Sequence, residues 1–210
     1  MRLLLVRHGE TEYNRLGLAL GRGDVPLNVN GRRQARRLAR ALATEGVSAI
    51  YSSPLRRCLD TAAAIARACG LQVQVLPELV EMDIGRAEGL TYAEVRERFP
   101  DVLQRWLSSQ DPSLEALGGE SLPEVQERAW SAIVRLAQAH RGQTIVVVTH
   151  NFVILAVLAR ALGMPLASFR RLRHSVAAIS ELELEGESVA LRRLNDTCHL
   201  RRADGRGWLP

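Results

Sequence analysis

The sequence predicts an α/β fold, a three-layer sandwich whose mostly parallel sheet carries helices on both faces. Three observations lead there. Short apolar runs of strand length alternate with amphipathic stretches of helical length. Leu3-Leu4-Leu5-Val6 and Ile145-Val146-Val147-Val148 are apolar at every position, as in parallel strands covered on both faces. No repeat, low-complexity tract or linker interrupts the 210 residues, so 1–210 reads as a single domain.

The elements follow in order. Residues 3–6 form a first strand, with Arg7-His8-Gly9-Glu10-Thr11 at its carboxyl end. Residues 31–44 have helical period and open at Asn30-Gly31. Residues 47–51 form a second strand ending in Ser52-Ser53-Pro54. Ser53 as N-cap and Pro54 at the first helical position then open a helix to about Ala68, which Gly70 stops. Residues 71–76 read as a third strand. Thr91-Tyr92-Ala93-Glu94 is a capping box whose helix ends at Pro100. Residues 101–121 read as an excursion, with a short helix over 103–107 and then a loop. Residues 122–139 are amphipathic helix, and 144–148 is a β-branched strand ending in Thr149-His150-Asn151. An apolar helix over 152–162 follows, stopped by Gly163 and Pro165. Residues 177–184 and 188–194 close the chain as an antiparallel pair around Glu185-Gly186.

The net charge is +5, and all 28 basic residues are arginine. Without lysine, Schiff-base chemistry and the P-loop are excluded. Arginine favours planar, bidentate binding of phosphate or carboxylate. Most of the arginines lie along amphipathic helices, as at Arg32 to Arg40, with few aromatics between them. No nucleic-acid motif is present, so no nucleic-acid partner is expected. Cys58, Cys69 and Cys198 are widely spaced and odd in number, which suits reduced thiols in a cytoplasmic protein. The opening apolar run is too short for a signal peptide, and no run has membrane-spanning length. No membrane partner is expected, and the oligomeric state stays open.

Three unusual clusters each follow directly on a strand: Arg7-His8-Gly9, Ser52 to Arg57, and Thr149-His150. Ligands of open α/β sheets collect outside the carboxyl ends of the strands. Three polar clusters placed there could converge on one anion, although strand order is not legible in the sequence.

These residues carry a resemblance. Leu5-Val6-Arg7-His8-Gly9-Glu10-Thr11 with Asn14 resembles the signature of the histidine phosphatase superfamily, which includes cofactor-dependent phosphoglycerate mutases. The likeness continues through Gly21, Asp24, Pro26-Leu27, Gly31 and Gln34-Ala35. Further blocks are Ser52-Ser53-Pro54-Leu55-Arg56-Arg57 with Thr61-Ala62, then Glu78-Leu79, Glu81, Gly85 and Glu88-Gly89. Gly118-Gly119-Glu120-Ser121, Val148-Thr149-His150, Asn195-Asp196 and His199-Leu200 complete the series.

The resemblance implies a phosphomonoesterase working through a phosphohistidine on His8 and needing neither cofactor nor metal. Phosphoryl transfer loads charge onto equatorial oxygens, so positioned cations and donors supply most of the catalysis. Arg7 and Arg57 would clamp the phosphoryl group, and His150 would donate to one of its oxygens. The family motif selects Arg57 over Arg56 and Glu81 over Glu78 and Glu88. Glu81 would protonate the leaving alkoxide and then activate water. Adjacent arginines should keep His8 neutral and nucleophilic. Asn14, Gly21, Thr11 and Asn151 are expected on the substrate side; Asn14 and Thr11 could equally shape the loop. His140, His174 and His199 fall outside the expected site.

Two positions depart from the pattern: Ala87 where relatives carry an aromatic, and Asn151 where glycine is common. Neither is expected to touch the core chemistry. Three other functions compete. A mutase would carry a longer segment before the last histidine and extra basic residues after the glutamate; here Met82-Asp83-Ile84 follows Glu81. A non-catalytic phospho-ligand module would have lost some catalytic positions, and all five are filled. A metallohydrolase on His8, His150 and His199 lacks ligand spacing. The expected partner is a small phosphomonoester, among them phosphorylated glycerates, sugar phosphates and nucleoside phosphates. Its identity should be set by residues 15–24 and 101–121.

Overall fold

A computed structural model describes residues 1–108, 113–186 and 188–201. The strands are β1 (Arg2–Arg7), β2 (Val47–Ser52), β3 (Val73–Val75), β4 (Thr144–Thr149), β5 (Ile179–Glu185) and β6 (Ser188–Asp196). They form one sheet in the order β3-β2-β4-β1-β5-β6. The first four neighbours pair in parallel, and β5 and β6 add an antiparallel flank beside β1.

Alternation along the strands supplies two cores. Leu4, Val6, Val146, Val148 and Ile50 point to one face, against Leu38 and Leu42 of α2 (Val29–Leu42) and Ile65 of α3 (Arg56–Cys69). Leu3, Leu5, Ile145 and Val147 point to the other. There they meet Val125, Ala129 and Ile133 of α6 (Leu122–Ala139) and the apolar α7 (Asn151–Ala161). Both faces of β1 and β4 are therefore buried, which is why neither strand alternates with polar residues. Three short helices complete the fold: α1 (Glu12–Leu16), α4 (Tyr92–Arg98) and α5 (Pro100–Ser108).

Several boundaries differ from the sequence reading. The helix expected from Ser53-Pro54 begins at Arg56 with Leu55 as N-cap, because the Ser53 hydroxyl sits against His150 instead. The helix expected from residue 31 begins at Val29, since Asn28 rather than Asn30 supplies the cap to Gly31 N–H. Pro100 does end α4, but it also opens α5, which is longer than the expected 103–107 turn. Part of the 101–121 excursion, 109–112, lies outside the described residues.

One backbone contact positions the loop after β1. Asn28 donates from its backbone to the Glu10 carbonyl at 3.0 Å, and Glu10 N–H donates to the Gln34 side chain at 2.8 Å. This brings the loop onto the first turn of α2. A Cβ built on Gly31 would lie 2.0 Å from the Glu10 carbonyl oxygen, and one on Gly9 would lie 2.6 Å from the Gly31 oxygen. Only glycines permit two backbones to meet so closely. Gly31→Ala should therefore lower the unfolding free energy by about 1–3 kcal/mol, the usual cost of forced overpacking, and disturb the His8 loop. Urea denaturation at fixed pH checks this; an unchanged midpoint would show that the contact yields freely.

Candidate active site

Sheet order delivers the convergence that sequence left open. The strands β2, β4 and β1 are adjacent and parallel, with Ser52 opposite Val148 and Arg7 opposite Thr149. The residues that follow them, Ser53, His150 and His8, leave the sheet at one edge. Ser53 N–H donates to the Val148 carbonyl at 3.0 Å, and His8 N–H donates to the Thr149 carbonyl at 3.1 Å. The rings of His8 and His150 then lie 5.3 Å apart, centre to centre.

His8 is 2% exposed, with Nδ1 2.7 Å from the Gly9 carbonyl. A carbonyl only accepts, so Nδ1 carries the proton and Nε2 keeps its lone pair. Burial holds the imidazole well below its ordinary pKa, and the charges of Arg57 and Arg7 lower it further. His150 is fully buried and held low by the same causes, burial first. Its Nε2 lies 2.7 Å from the Ser53 hydroxyl and 3.4 Å from the Cys58 sulfur.

Arg57 is fully buried, whereas Arg56 is exposed and contributes its backbone N–H to Asp24. The Arg57 guanidinium donates to the carbonyls of Gly21 and Gly23, each at 2.6 Å. Glu88 fixes that loop by accepting from Gly21 N–H at 3.1 Å and Gly23 N–H at 3.2 Å. Arg7 donates to the His174 carbonyl at 2.6 Å and to Asn151 Oδ1 at 3.2 Å. Burial brings its pKa down to about 10, so it stays charged at neutral pH. The Nε atoms of both arginines are buried without a hydrogen-bond partner.

Glu81 is 3% exposed. Its carboxyl oxygens accept from Met82 N–H at 2.9 Å and from Phe152 N–H at 3.2 Å, in the first turn of α7. Those bonds and the two arginines favour the carboxylate, but burial outweighs them and holds the pKa above the ordinary value. Arg128 pins the segment by donating to the carbonyls of Glu78 and Val80, each at 2.6 Å, and of Glu81 at 3.2 Å.

A cavity of about 360 Å³ opens from this cluster, with Arg7, His8, Asn14, Glu81 and Asn151 on its wall. Asn14 also has a structural duty: its side chain accepts from Thr11 N–H at 3.1 Å, completing the capping box of α1. Thr11 is buried as that N-cap, and Gly21 acts through the carbonyl it offers Arg57. Asn151, expected on the substrate side but away from the core chemistry, accepts a hydrogen bond from Arg7 and lines the cavity. Ala87 is on the cavity wall, where an aromatic would fill space.

Four contributors escaped the sequence reading. Ser53, which the sequence suggests as a helix cap, instead places its hydroxyl 2.7 Å from His150 Nε2. Glu88 and Arg128 act through backbone carbonyls and N–H groups, which no spacing rule reveals. His174 reaches the site because antiparallel pairing lays β5 beside β1, and it offers its carbonyl to Arg7. The remaining histidines are occupied elsewhere, His199 at the Ala177 carbonyl and His140 at the Tyr51 hydroxyl. Among the described residues, no three His, Cys, Asp or Glu side chains gather as metal donors. Nor is any described helix long and apolar enough to cross a membrane.

This arrangement matches a known class. Residues 3–197 match the histidine phosphatase superfamily (branch 1), and the chain belongs to it. It is 36% identical over 200 residues to phosphoserine phosphatase 1 of Hydrogenobacter thermophilus, covering 95% of this chain and 94% of that one. It is 40% identical over 201 residues to a bifunctional protein of Mycobacterium tuberculosis, spanning 55% of that protein's length. Its fold superposes with a TM-score of 0.86 on an Entamoeba histolytica phosphoserine phosphatase mutant bound to phosphoserine, at 28% identity over 95% of this chain and 99% of that one. Within the superfamily the chain is a phosphatase, a phosphoric monoester hydrolase of small phosphorylated metabolites.

Acid should destabilise this site specifically. His8, His150 and His174 are all held neutral, His174 with a pKa down to about 3. Their folded values lie below the unfolded value near 6.5, so the unfolded chain binds more protons below that pH. Their stability contribution is complete above about pH 6.5 and is lost as pH falls, at up to about 1.4 kcal/mol per pH unit for each histidine. Glu81 works in the opposite sense: its raised value costs stability as pH rises through it. Three groups against one, with His199 outside the site lowered by burial as well, should make the acid side weaker. Urea midpoints should fall steadily from pH 7 to pH 5, and His174→Asn should flatten that slope; a pH-independent midpoint would contradict it.

Proposed function

We propose that His8 is the nucleophile of a two-step phosphomonoester hydrolysis. The observation that carries this reading is an imidazole with Nδ1 tied to a carbonyl and Nε2 unprotonated, beside two arginines whose buried Nε donors lack partners. Nε2 attacks phosphorus while the bond to the leaving oxygen breaks. Arg7 and Arg57 take the charge that accumulates on the equatorial oxygens, supported by a His150 N–H. Asn14 and Asn151 flank the group from the cavity wall, and Thr11 and Gly21 hold the loops that carry Asn14 and steady Arg57.

Glu81 gives its proton to the departing alkoxide. Its carboxylate then removes a proton from water as that water attacks the phosphohistidine, and phosphate leaves with His8 restored. A carboxyl raised by burial suits both halves of this cycle. Arginine supplies the charge that a metal supplies elsewhere, so the scheme needs no metal or cofactor. Proteins named for phosphoserine are among the relatives, which supports a small phosphomonoester as the substrate. We place the whole cycle in one domain, since one sheet edge provides every group. A cytoplasmic setting fits the three free cysteines.

Glu81→Gln preserves shape and removes the transferable proton. In single-turnover phosphorylation it should slow an alkyl phosphate by about a hundred- to ten-thousandfold. p-Nitrophenyl phosphate, whose leaving group departs unaided, should lose far less. Equal slowing of both would remove Glu81 from the acid role.

A further inference from the structure

We infer that this phosphatase selects phosphomonoesters with a bulky, apolar, uncharged leaving group over amino-acid or glycerate phosphates. The inference rests on the proposed role of Glu81. A general acid must lie within hydrogen-bond reach of the oxygen it protonates, so the leaving group occupies whichever space Glu81 faces. Two spaces adjoin Arg7. One is the cavity of about 360 Å³, which Glu81 and His8 line. The other is flanked by Arg170, Arg173 and His174, and neither Glu81 nor His8 is on its wall. The leaving group therefore enters the first.

That space is apolar. Beyond the reaction centre its walls include Leu18, Leu20, Val95, Val102, Trp106 and Phe152. Among the described residues, Arg7 and Glu81 are its only charged ones. Arg7 is committed to the phosphoryl end, where it donates to Asn151 and the His174 carbonyl. Among the described residues, no second cation lines this space to receive a carboxylate. Nearby Arg22 lies off the wall and is paired with Glu120 at 2.9 Å. A serine or glycerate carboxylate placed there would lose its hydration without gaining a counter-charge, which is strongly unfavourable. An aryl or branched alkyl group would instead bury apolar surface against Trp106 and Phe152. The volume falls within the range of pockets that enclose whole small-molecule ligands, so the pocket accommodates more than a three-carbon chain.

Much of the wall comes from Leu18–Leu20 after α1 and Val102–Trp106 on α5, joined by the segment from Ile84 to Val95 and by Phe152 of α7. Leu18 and Val102 are only half-buried, so they can be altered without opening the core.

Three primary-alkoxide substrates with leaving groups of similar basicity separate shape from chemistry: 2-phenylethyl phosphate, glycerol 3-phosphate and O-phosphoserine. The kcat/KM for 2-phenylethyl phosphate should exceed both others by about a hundredfold, since single methylenes in apolar pockets are already worth about ten- to two-hundredfold. Leu18→Arg should narrow the gap to O-phosphoserine by tenfold or more, and Val102→Arg, from α5, should do the same. Rapid quench in the same assays reports the phosphoenzyme. If O-phosphoserine matches or exceeds the phenylethyl ester while a phosphoenzyme still forms, the specificity inference fails and the mechanism stands. If neither arginine variant changes the ratio, the pocket assignment fails. If no substrate yields a phosphoenzyme, the proposed mechanism fails and takes this inference with it.

Discussion

Two guanidiniums, one fully buried and one half-buried, neither hydrogen-bonded to a carboxylate, set the terms for the rest of this structure. Arg57 has no exposed surface and is held only by neutral carbonyls, and Arg7 is held by a carbonyl and an amide oxygen. Each keeps a buried Nε donor without a partner. Withdrawing such a cation from water costs several kcal/mol, a cost that a phosphoryl dianion at the proposed site would recover. The same two charges hold His8 and His150 neutral, adding to the effect of burial. Burial raises the pKa of Glu81 and so opposes the ionisation that the two arginines favour. The site is therefore built for a charge that the ligand brings.

Holding such cations in place requires rigid acceptors, and backbone supplies them. The Gly21 and Gly23 carbonyls face Arg57 because Glu88 grips the N–H groups of the same residues. The His174 carbonyl faces Arg7 because β5 pairs with β1. Arg128 performs a related service for Glu81, fixing three carbonyls in the approach to it. Carboxylates bonded to the guanidiniums themselves would have been simpler, but they would have neutralised the field the chemistry uses.

Much of this was legible in the sequence, for physical reasons. Apolar runs such as residues 145–148 announce a doubly covered strand, and the clusters after three such strands announce a ligand edge. Arg7, His8, Arg57, Glu81 and His150 do meet at that edge. What stayed hidden depends on partners distant in the chain. Nothing local marks His174 as a support for Arg7, or Glu88 as the clasp of the loop behind Arg57. A serine before proline has the signature of a helix cap, and only sheet order shows His150 competing for the Ser53 hydroxyl. The apolar leaving-group cavity is likewise invisible, because it is assembled from the stretch after α1, the segment after Glu81 and α5.

The central claim is that His8 attacks through Nε2 because Gly9 holds Nδ1. The position of the phosphoryl group on the ring tests it most directly. Phosphoenzyme trapped by rapid quench at alkaline pH, digested and compared with synthetic standards by ³¹P NMR and mass spectrometry, should carry phosphate on the His8 peptide as the Nε2 isomer alone. The Nδ1 isomer, or phosphate on any other residue, would contradict the account.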